Sequence, residues 1–579
     1  MRSLLIAHTS YAPRRAHEHR QWLFLDQRYL ELLRWRRALQ TDPLPLGKRL
    51  NAMAHRLRLP FLRTMAVLGK KNESLAWWVS RLSERNPMVR PLFLRCCYLF
   101  VAIEILDQSN DDLLVVSDSV ALLELIAREA SKRGWQIQRA GSLPRRFHSL
   151  RALLHIASFL RRWMIGPRGN APRVDGILMR TWIDESSFGP DGAFQDRYFG
   201  RLSAWLVSRG LRVTILPVFM NLSRGEAEAW RALEQSGFQF LNPRAFYAVG
   251  DLWRAITVCA SQRRVRFHDV RIEGFDLTAL FEEEARETLF DGGSLDAALS
   301  YVLPRRLLER GDRIEIFLDL YENMITEKPL TAAMRSFLPA SRVISFQHGI
   351  PSPLLVSIFV TEEEAAFAPL PERIVTNGAP FTRMLVEAGM PRERVVDGAA
   401  LRYEHLTRPA PPGRGNAVLL TLPLAESDAV ELLVKAHEAL ANDESLEVLV
   451  KPHPMSDFEM FLRAARIDSL PPRWKVIGGG MGEALRAARV VVTLGSSTAF
   501  EAVAGGAMVV VVGRDAALDL NPLQWFPTLD RTVYEPEEIL EEVKRLLDMP
   551  LNEATKATEM LRGAFNPVND RTLEAFLPQ

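Results

Sequence analysis

The chain is 579 residues long, more than one hydrophobic core usually supports, so roughly two to four domains are expected. Hydrophobic residues make up 47% and charged residues 25%, the balance of an ordinary globular protein, which excludes disordered, collagenous and disulfide-scaffold classes. A net charge of +3 speaks against nucleic acid as a partner, although arginines crowd the N-terminal third.

The start, MRSLLIAHTSYAPRR, has too short an apolar stretch for a secretory signal, and no run in the chain approaches the ~20 apolar residues of a membrane-spanning helix. Adjacent Cys96 and Cys97 and a distant Cys259 assemble neither a disulfide framework nor a zinc site. A cytoplasmic protein is expected, peripheral at most to the inner face of the membrane. Short apolar runs then recur, and β-strands are expected at 113–117, 176–182, 212–218, 313–320, 342–346, 373–376, 417–421, 447–450, 489–494 and 507–513. Between them, segments such as 121–133, 201–209 and 428–441 repeat apolar residues at three and four, the helical period. The alternation predicts an α/β fold of two Rossmann-like domains facing a cleft, with an Arg-rich helical region in the N-terminal part. Thr407 to Asn416, TRPAPPGRGN, concentrates Pro and Gly and is the expected linker. It divides an N-terminal domain (1–406) from a C-terminal domain (417–579) whose last helices are expected to return to the first.

One segment inside the first domain, 143–168, reads LPRRFHSLRALLHIASFLRRWMIGPR. It carries six arginines and no acid among Leu, Ile, Phe and Trp, a pattern of helices that lie in the headgroup region of anionic membranes. The other reading is a helix packed between domains with its arginines in salt bridges.

The residues that carry chemistry follow the strands. IEIFLDL carries Asp319 at its end and is followed by Glu322, Asn323 and Glu327, and a carboxylate there can act as general base on an acceptor hydroxyl. Glu322 is the favoured base, although acids before a helix also simply complement its dipole. VISFQHG places Gln347, His348 and Gly349 past another strand, with His348 as donor to a leaving-group oxygen, and Asn377 and Gly378 repeat the strand-then-turn pattern. In the second half Lys451, Pro452, His453 and Pro454 stiffen a strand terminus that presents a cation and an imidazole, an arrangement suited to phosphate. RVVVTLGSSTAFEAVAGG then gives a strand, a turn at Gly495, and hydroxyls of Ser496, Ser497 and Thr498 at a helix start, a second anion site. Thr498 and Glu501 also form a T-x-x-E capping box that needs no ligand; Glu501 either caps or reaches a ribose hydroxyl.

In the order of these elements, from 319 to 526 and including Ala400-Leu401-Arg402-Tyr403 and Asp519-Leu520-Asn521-Pro522-Leu523, the chain resembles the bacterial surface-carbohydrate biosynthesis proteins of GT-B-like architecture. More loosely it is similar to bacterial sialyltransferases and polysialyltransferases, in which an acidic pair, a His-Pro motif and a Ser-Ser or Ser-Thr motif occur in this sequence order. Asn323 stands here in place of a second acid. The resemblance implies a GT-B glycosyltransferase of capsule or lipopolysaccharide biosynthesis, with Arg402 and Asn521 among the cleft residues. Its donor would be a nucleotide-sugar, CMP-linked and sialic-acid-like or Kdo-like, bound by the C-terminal domain (417–579), and its acceptor a surface polysaccharide or lipid-linked glycan on the side of the N-terminal domain (1–406). No Asp-x-Asp metal motif is present in convincing context, so no metal and no cofactor beyond the donor substrate is expected. The competing readings are a nucleotide-sugar epimerase or hydrolase of the same layout and a non-catalytic scaffold.

Overall fold

The computed structural model describes residues 2–11, 20–141, 148–167, 169, 171–189, 193–407, 415–495 and 497–578. Most of the expected linker (408–414), Ser496, Arg145, Arg146 and Arg168 fall outside these residues.

Among the described residues, three parallel sheets organise the chain. β1 (Ser3–His8), β2 (Gln21–Leu25), β3 (Leu113–Ser117) and β4 (Gln136–Ala140) form the first, in the order β2-β3-β1-β4. The second holds β5 (Asp175–Ile183), β6 (Val213–Phe219) and β7 (Gln239–Phe240); a small antiparallel hairpin, β8 (Arg271–Ile272) with β9 (Phe275–Asp276), intervenes outside it; and the sheet resumes with β10 (Arg313–Leu320), β11 (Arg342–Gln347), β12 (Arg373–Thr376) and β13 (Val395–Asp397). The third is built from β14 (Ala417–Thr421), β15 (Val448–Lys451), β16 (Trp474–Val476), β17 (Ala488–Thr493), β18 (Met508–Val512) and β19 (Thr532–Val533). Strands such as MVVVV and LLVVS are buried along their whole length, which is why they read as continuous apolar runs: helices cover both faces of a parallel sheet.

Numbered within itself, the third sheet runs 3-2-1-4-5-6, and the second runs 3-2-1-4-5-6-7 when read from β7 to β13. Both have the strand order of a doubly wound nucleotide-binding sheet, and each has a switch point where the order reverses, between β14 and β17 and between β5 and β10. Loops after β14, β15 and β17 meet the loop after β11 across one cavity. Two Rossmann-like α/β domains facing a cleft in this way are a GT-B-like fold.

The first sheet was not anticipated beyond its strand Leu113–Ser117. Residues 1–406 therefore carry two sheets, and the first shares its core with the C-terminal domain: Trp22, Phe24, Tyr29 and Trp35 pack in one cluster with Val418, Leu432, Val448 and Val490. The Tyr29 N–H donates to Ser427 Oγ at 2.6 Å, the Asp519 N–H to Asn51 Oδ1 at 2.7 Å, and the Tyr98 hydroxyl to the Ala516 carbonyl. Full burial of each large apolar side chain contributes ~1.5–3 kcal/mol, so this joint is a core and not a surface contact. At the other end of the chain, Phe576 packs 5.3 Å from Phe346 in the core of the second sheet.

Within the basic segment the helix spans His148–Ile165. Phe159 is buried, and Ile156 and Trp163 pack beside it against the helices Val249–Ser261 and Gly292–Ser300. Leu150, Leu153, Leu154, Met164 and Ile165 are 56–76% exposed on the other side, with Arg151 and Arg161 also exposed.

Candidate active site

A cavity of about 760 Å³ opens at the switch point of the third sheet, where the carboxyl ends of diverging strands leave a crevice. Lys451, Pro452, His453 and Pro454, after β15, and Gly495, Ser497 and Thr498, after β17, all line it. Two motifs about 40 residues apart in sequence thus converge on one space. The buried Lys451 ammonium donates to the carbonyls of Gly479 at 2.7 Å and Gly478 at 3.4 Å. No carboxylate pairs with it among the described residues, so its charge is left for an anion. The Met455 N–H donates to His453 Nδ1 at 3.2 Å; with that lone pair used, the neutral ring carries its proton on Nε2 and has one donor to offer. Partial burial lowers the His453 pKa below the usual histidine value, which keeps this tautomer neutral near pH 7.

The helix Ser497–Ala504 begins at Ser497, so Thr498 lies in its first turn and not at its cap. Glu501 is half-buried and does not line the cavity. Gly495 is required by close approach: a Cβ there would stand 2.6 Å from the backbone of Asn521. Asn521 is fully buried, and its side chain is spent on Asp530, Thr532 and the Leu523 N–H at 2.9–3.2 Å. Its neighbours Leu520 and Pro522 supply cavity wall.

Sequence reasoning missed part of that wall. Gln27 and Arg28, after β2, and Pro87, Met88 and Leu94 also line the cavity. The strand-then-turn pattern QWLFL-DQR was there to be read. The helix-flanking residues carried no such signal.

The polar groups at the end of β10 and in the turn after it separate into three fixed groups and one available group. Asp319 is buried and paired with Arg180, whose guanidinium N–H reaches its carboxylate at 2.8 Å. Glu327 is also buried, and its Oε2 accepts from the backbone N–H of Glu322, Asn323 and Met324 at 3.0, 2.7 and 3.4 Å. Burial, with repulsion from Asp319, pushes the Glu327 pKa well above the carboxylate range. Asn323 adopts the left-handed conformation at φ 58° and donates to the Ser357 carbonyl at 2.8 Å. Glu322 alone keeps an accessible carboxylate, at 20% side-chain exposure, with Oε1 3.1 Å from His348 Nε2.

His348 is enclosed by the rings of Trp182 and Tyr198, 5.3 and 4.9 Å away. Arg402 donates to its Nδ1 at 3.0 Å, which places the ring proton on Nε2, toward Glu322. Burial lowers the His348 pKa even though Glu322 opposes the shift, so the ring is neutral. Arg402 thus fixes the His348 tautomer, and Nε2, which meets no well-aligned hydrogen-bond acceptor, lies 3.1 Å from the Glu322 carboxylate. Gly349 has room for a Cβ, with nothing nearer than Glu322 Oε1 at 4.0 Å. Gly378 has none: at φ 152° its Cβ would lie 2.4 Å from the Ala564 carbonyl oxygen. Asn377 donates to the Gln347 carbonyl at 3.0 Å, and Gln347 to that of Gly349. Asn377 Oδ1 and Gln347 Oε1 are buried without donors.

Glu322 and His348 are not themselves walls of the 760 Å³ cavity. The link is short: His348 leads through Gly349 to Ile350 and Ser352, which are, and Trp525 of the C-terminal domain holds the Pro351 carbonyl at 2.7 Å.

No protein-family model matches the sequence, and no curated protein matches it. Solved structures similar to the chain include the glycotransferase of kitacinnamycin, 16% identical over 70% of this chain and 100% of that one, with a TM-score of 0.42. MurG of Acinetobacter baumannii is 13% identical over 69% and 97%, with a TM-score of 0.37. The UDP-GlcNAc 2-epimerase of Neisseria meningitidis bound to UDP-GlcNAc is 10% identical over 69% and 97%, with a TM-score of 0.40. The fold assignment rests on the strand orders and the cleft described above.

Proposed function

We propose that the chain is a glycosyltransferase that moves a sugar from a nucleotide-activated donor to a glycan acceptor. One observation carries the reading: at the switch point of a 3-2-1-4-5-6 sheet, an ammonium that pairs with no carboxylate among the described residues, an imidazole donor and a helix N-terminus bearing Ser497 and Thr498 line a single cavity. In this reading the donor phosphate lies against Lys451, His453 Nε2–H and the first turn of Ser497–Ala504, which stabilise the charge that gathers on it as the bond to the anomeric carbon breaks. The leaving nucleotide keeps that electron pair. Glu322 takes the acceptor hydroxyl proton as the new bond forms, and Arg402 and His348 fix the carboxylate's orientation. The proposed donor is CMP-linked, with a sialic-acid-like or Kdo-like sugar, and the acceptor a surface polysaccharide or lipid-linked glycan. No residue in this scheme calls for a metal or cofactor. The exposed apolar side of His148–Ile165, flanked by Arg151 and Arg161, fits an anionic membrane face that would present such an acceptor.

The test is a thermal-shift panel of CMP, CDP, UDP and GDP on wild type and His453→Ala. A ligand that binds only the native state raises the melting temperature by mass action. A shift with one nucleotide that shrinks in the variant supports the reading, and no shift with any of them removes it. Consumption of donor with no acceptor present would favour an epimerase or hydrolase instead.

A further inference from the structure

The loop after β2 belongs to the first sheet, outside both Rossmann-like domains, yet its Gln27 and Arg28 reach the wall of the 760 Å³ cavity. The loop is docked on the third sheet's side of that cavity. The Tyr29 N–H donates to Ser427 Oγ at 2.6 Å, and Ser427 is itself cavity wall, in the first turn of the helix Glu426–Leu440. Behind the loop, Trp22, Phe24 and Tyr29 share one core with Val418, Leu432 and Val448. Arg28 and Lys451 are thus carried by one packed unit.

The Arg28 guanidinium is fixed from behind. Asp26, buried and not itself cavity wall, accepts from Arg28 Nε at 3.0 Å and from Nη2, and Thr9 Oγ1 accepts from Nη2 at 3.0 Å. Half of the Arg28 side chain is exposed, and Nη1 makes no hydrogen bond among the described residues. A buried carboxylate and a hydroxyl along one edge of the fork preorganise the other edge for a ligand. Asp26 offsets part of the charge and leaves the Nη1 donors unspent. Among the described residues one carboxylate lines the cavity, Asp428, and Arg514 pairs with it. Lys451 and Arg28 are therefore basic groups that no wall carboxylate answers. A single phosphate against Lys451, His453 and the start of the helix Ser497–Ala504 leaves Arg28 unused, and an oxyanion taken out of water needs such a donor.

We propose that Arg28 binds a second anionic group of the donor, the first being the phosphate at Lys451 and His453. That a donor nucleotide occupies the cavity rests on the transfer reading above. The shared chemistry is an oxyanion held by a charge-assisted hydrogen bond from the guanidinium. It is either the carboxylate of an acidic sugar on a nucleoside monophosphate or the second phosphate of a nucleoside diphosphate sugar. A sheet outside the two Rossmann-like domains then takes part in choosing the donor, because a donor with one anionic group leaves Arg28 without a partner.

The experiment is calorimetric titration of the full chain with CMP, CDP, UDP, GDP, CMP-N-acetylneuraminate and inorganic pyrophosphate. Arg28→Met alone would strand the buried Asp26, so the charge is removed by Asp26→Asn together with Arg28→Met, whose melting temperature checks the fold. Arg28→Lys keeps the charge and loses the fork. The double variant should lose about ten- to hundredfold on the ligand with two anionic groups, the scale of a charge-assisted hydrogen bond, while CMP affinity stays within about twofold. Arg28→Lys should lose less. A loss on CMP-N-acetylneuraminate alone assigns a sugar carboxylate, and a loss on the diphosphates assigns a second phosphate. Equal effects on CMP and on those ligands, or none on any ligand that binds, would overturn the assignment of Arg28 and leave the nucleotide reading standing. Pyrophosphate that binds where no nucleotide does, and is weakened in the double variant, would keep the second anion site and remove the nucleotide. Binding of no ligand would overturn both.

Discussion

Replacing Glu322 by Gln tests the proposed chemistry with the least disturbance to the fold. The Glu322 side chain is partly exposed and does not line the cavity, and the amide oxygen can still face His348 Nε2 across the same 3.1 Å. Its backbone N–H keeps the bond to Glu327 at 3.0 Å. Stability should therefore change by no more than ~1 kcal/mol, about the worth of one hydrogen bond, because the amide replaces the carboxylate beside the buried His348. The rate is another matter. A positioned general base contributes about 10²–10⁴-fold, equivalent to roughly 3–5 kcal/mol in the barrier. Transfer should fall by that factor while the donor dissociation constant, measured by calorimetry on the same preparation, stays within about twofold. Arg402→Met should reproduce part of the loss, because the neutral His348 would no longer be held in its Nε2–H form. Transfer at the wild-type rate in Glu322→Gln would refute the assignment and move the search to His348.

Three further outcomes follow from particular contacts. Gly378→Ala should destabilise the protein by roughly 1–3 kcal/mol, the cost of overpacking, since its Cβ meets backbone at Ala564; denaturant unfolding checks this, and an unchanged midpoint would contradict the geometry. Asp196 is buried, and that burial raises its pKa from 3.8 to about 6. Its folded state thus holds a proton that the unfolded state has lost, so its contribution to stability falls as pH rises from about 4 to 6. Asp196→Asn should become progressively more stable relative to wild type across that window, by on the order of 3 kcal/mol, and a gap that does not change with pH in thermal melts would overturn the prediction. Finally, wild-type protein should sediment with anionic vesicles and lose that binding in high salt, and Arg151→Glu with Arg161→Glu should abolish it. Arg162 is left intact because Asp296 holds it. Wild type that never sediments would end the membrane proposal.

The elements nearest the candidate site were legible because each follows a strand whose apolar run is continuous. RVVVT, EVLVK and VISFQ announce themselves by composition, and a polar turn at a strand end is where α/β sheets place function. What was not legible was how each polar group is spent. Asp319 looks as available as Glu322 until Arg180, 139 residues earlier, is seen to hold it, and nothing local in the sequence distinguishes Glu327 as a clamp on three backbone N–H groups. The first sheet escaped for a related reason. SLLIAH and QWLFL are short and separate, and their pairing with Leu113–Ser117 spans roughly ninety residues or more. The helix Leu92–Gln108 is buried on nearly every side, so no amphipathic period marks it.

The shared core of the first sheet and the C-terminal domain also sets the order of events during synthesis. The apolar face carrying Trp22, Phe24 and Trp35 leaves the ribosome well before its partners Val418, Leu432 and Val490 exist. Roughly 280 residues separate the end of one unit from the start of the other, about 15–55 seconds of translation at ~5–20 residues per second. For that interval the nascent chain exposes a sticky surface that only its own far end can cover, so chaperone demand during expression should be concentrated there. Either piece made alone would keep that surface for good.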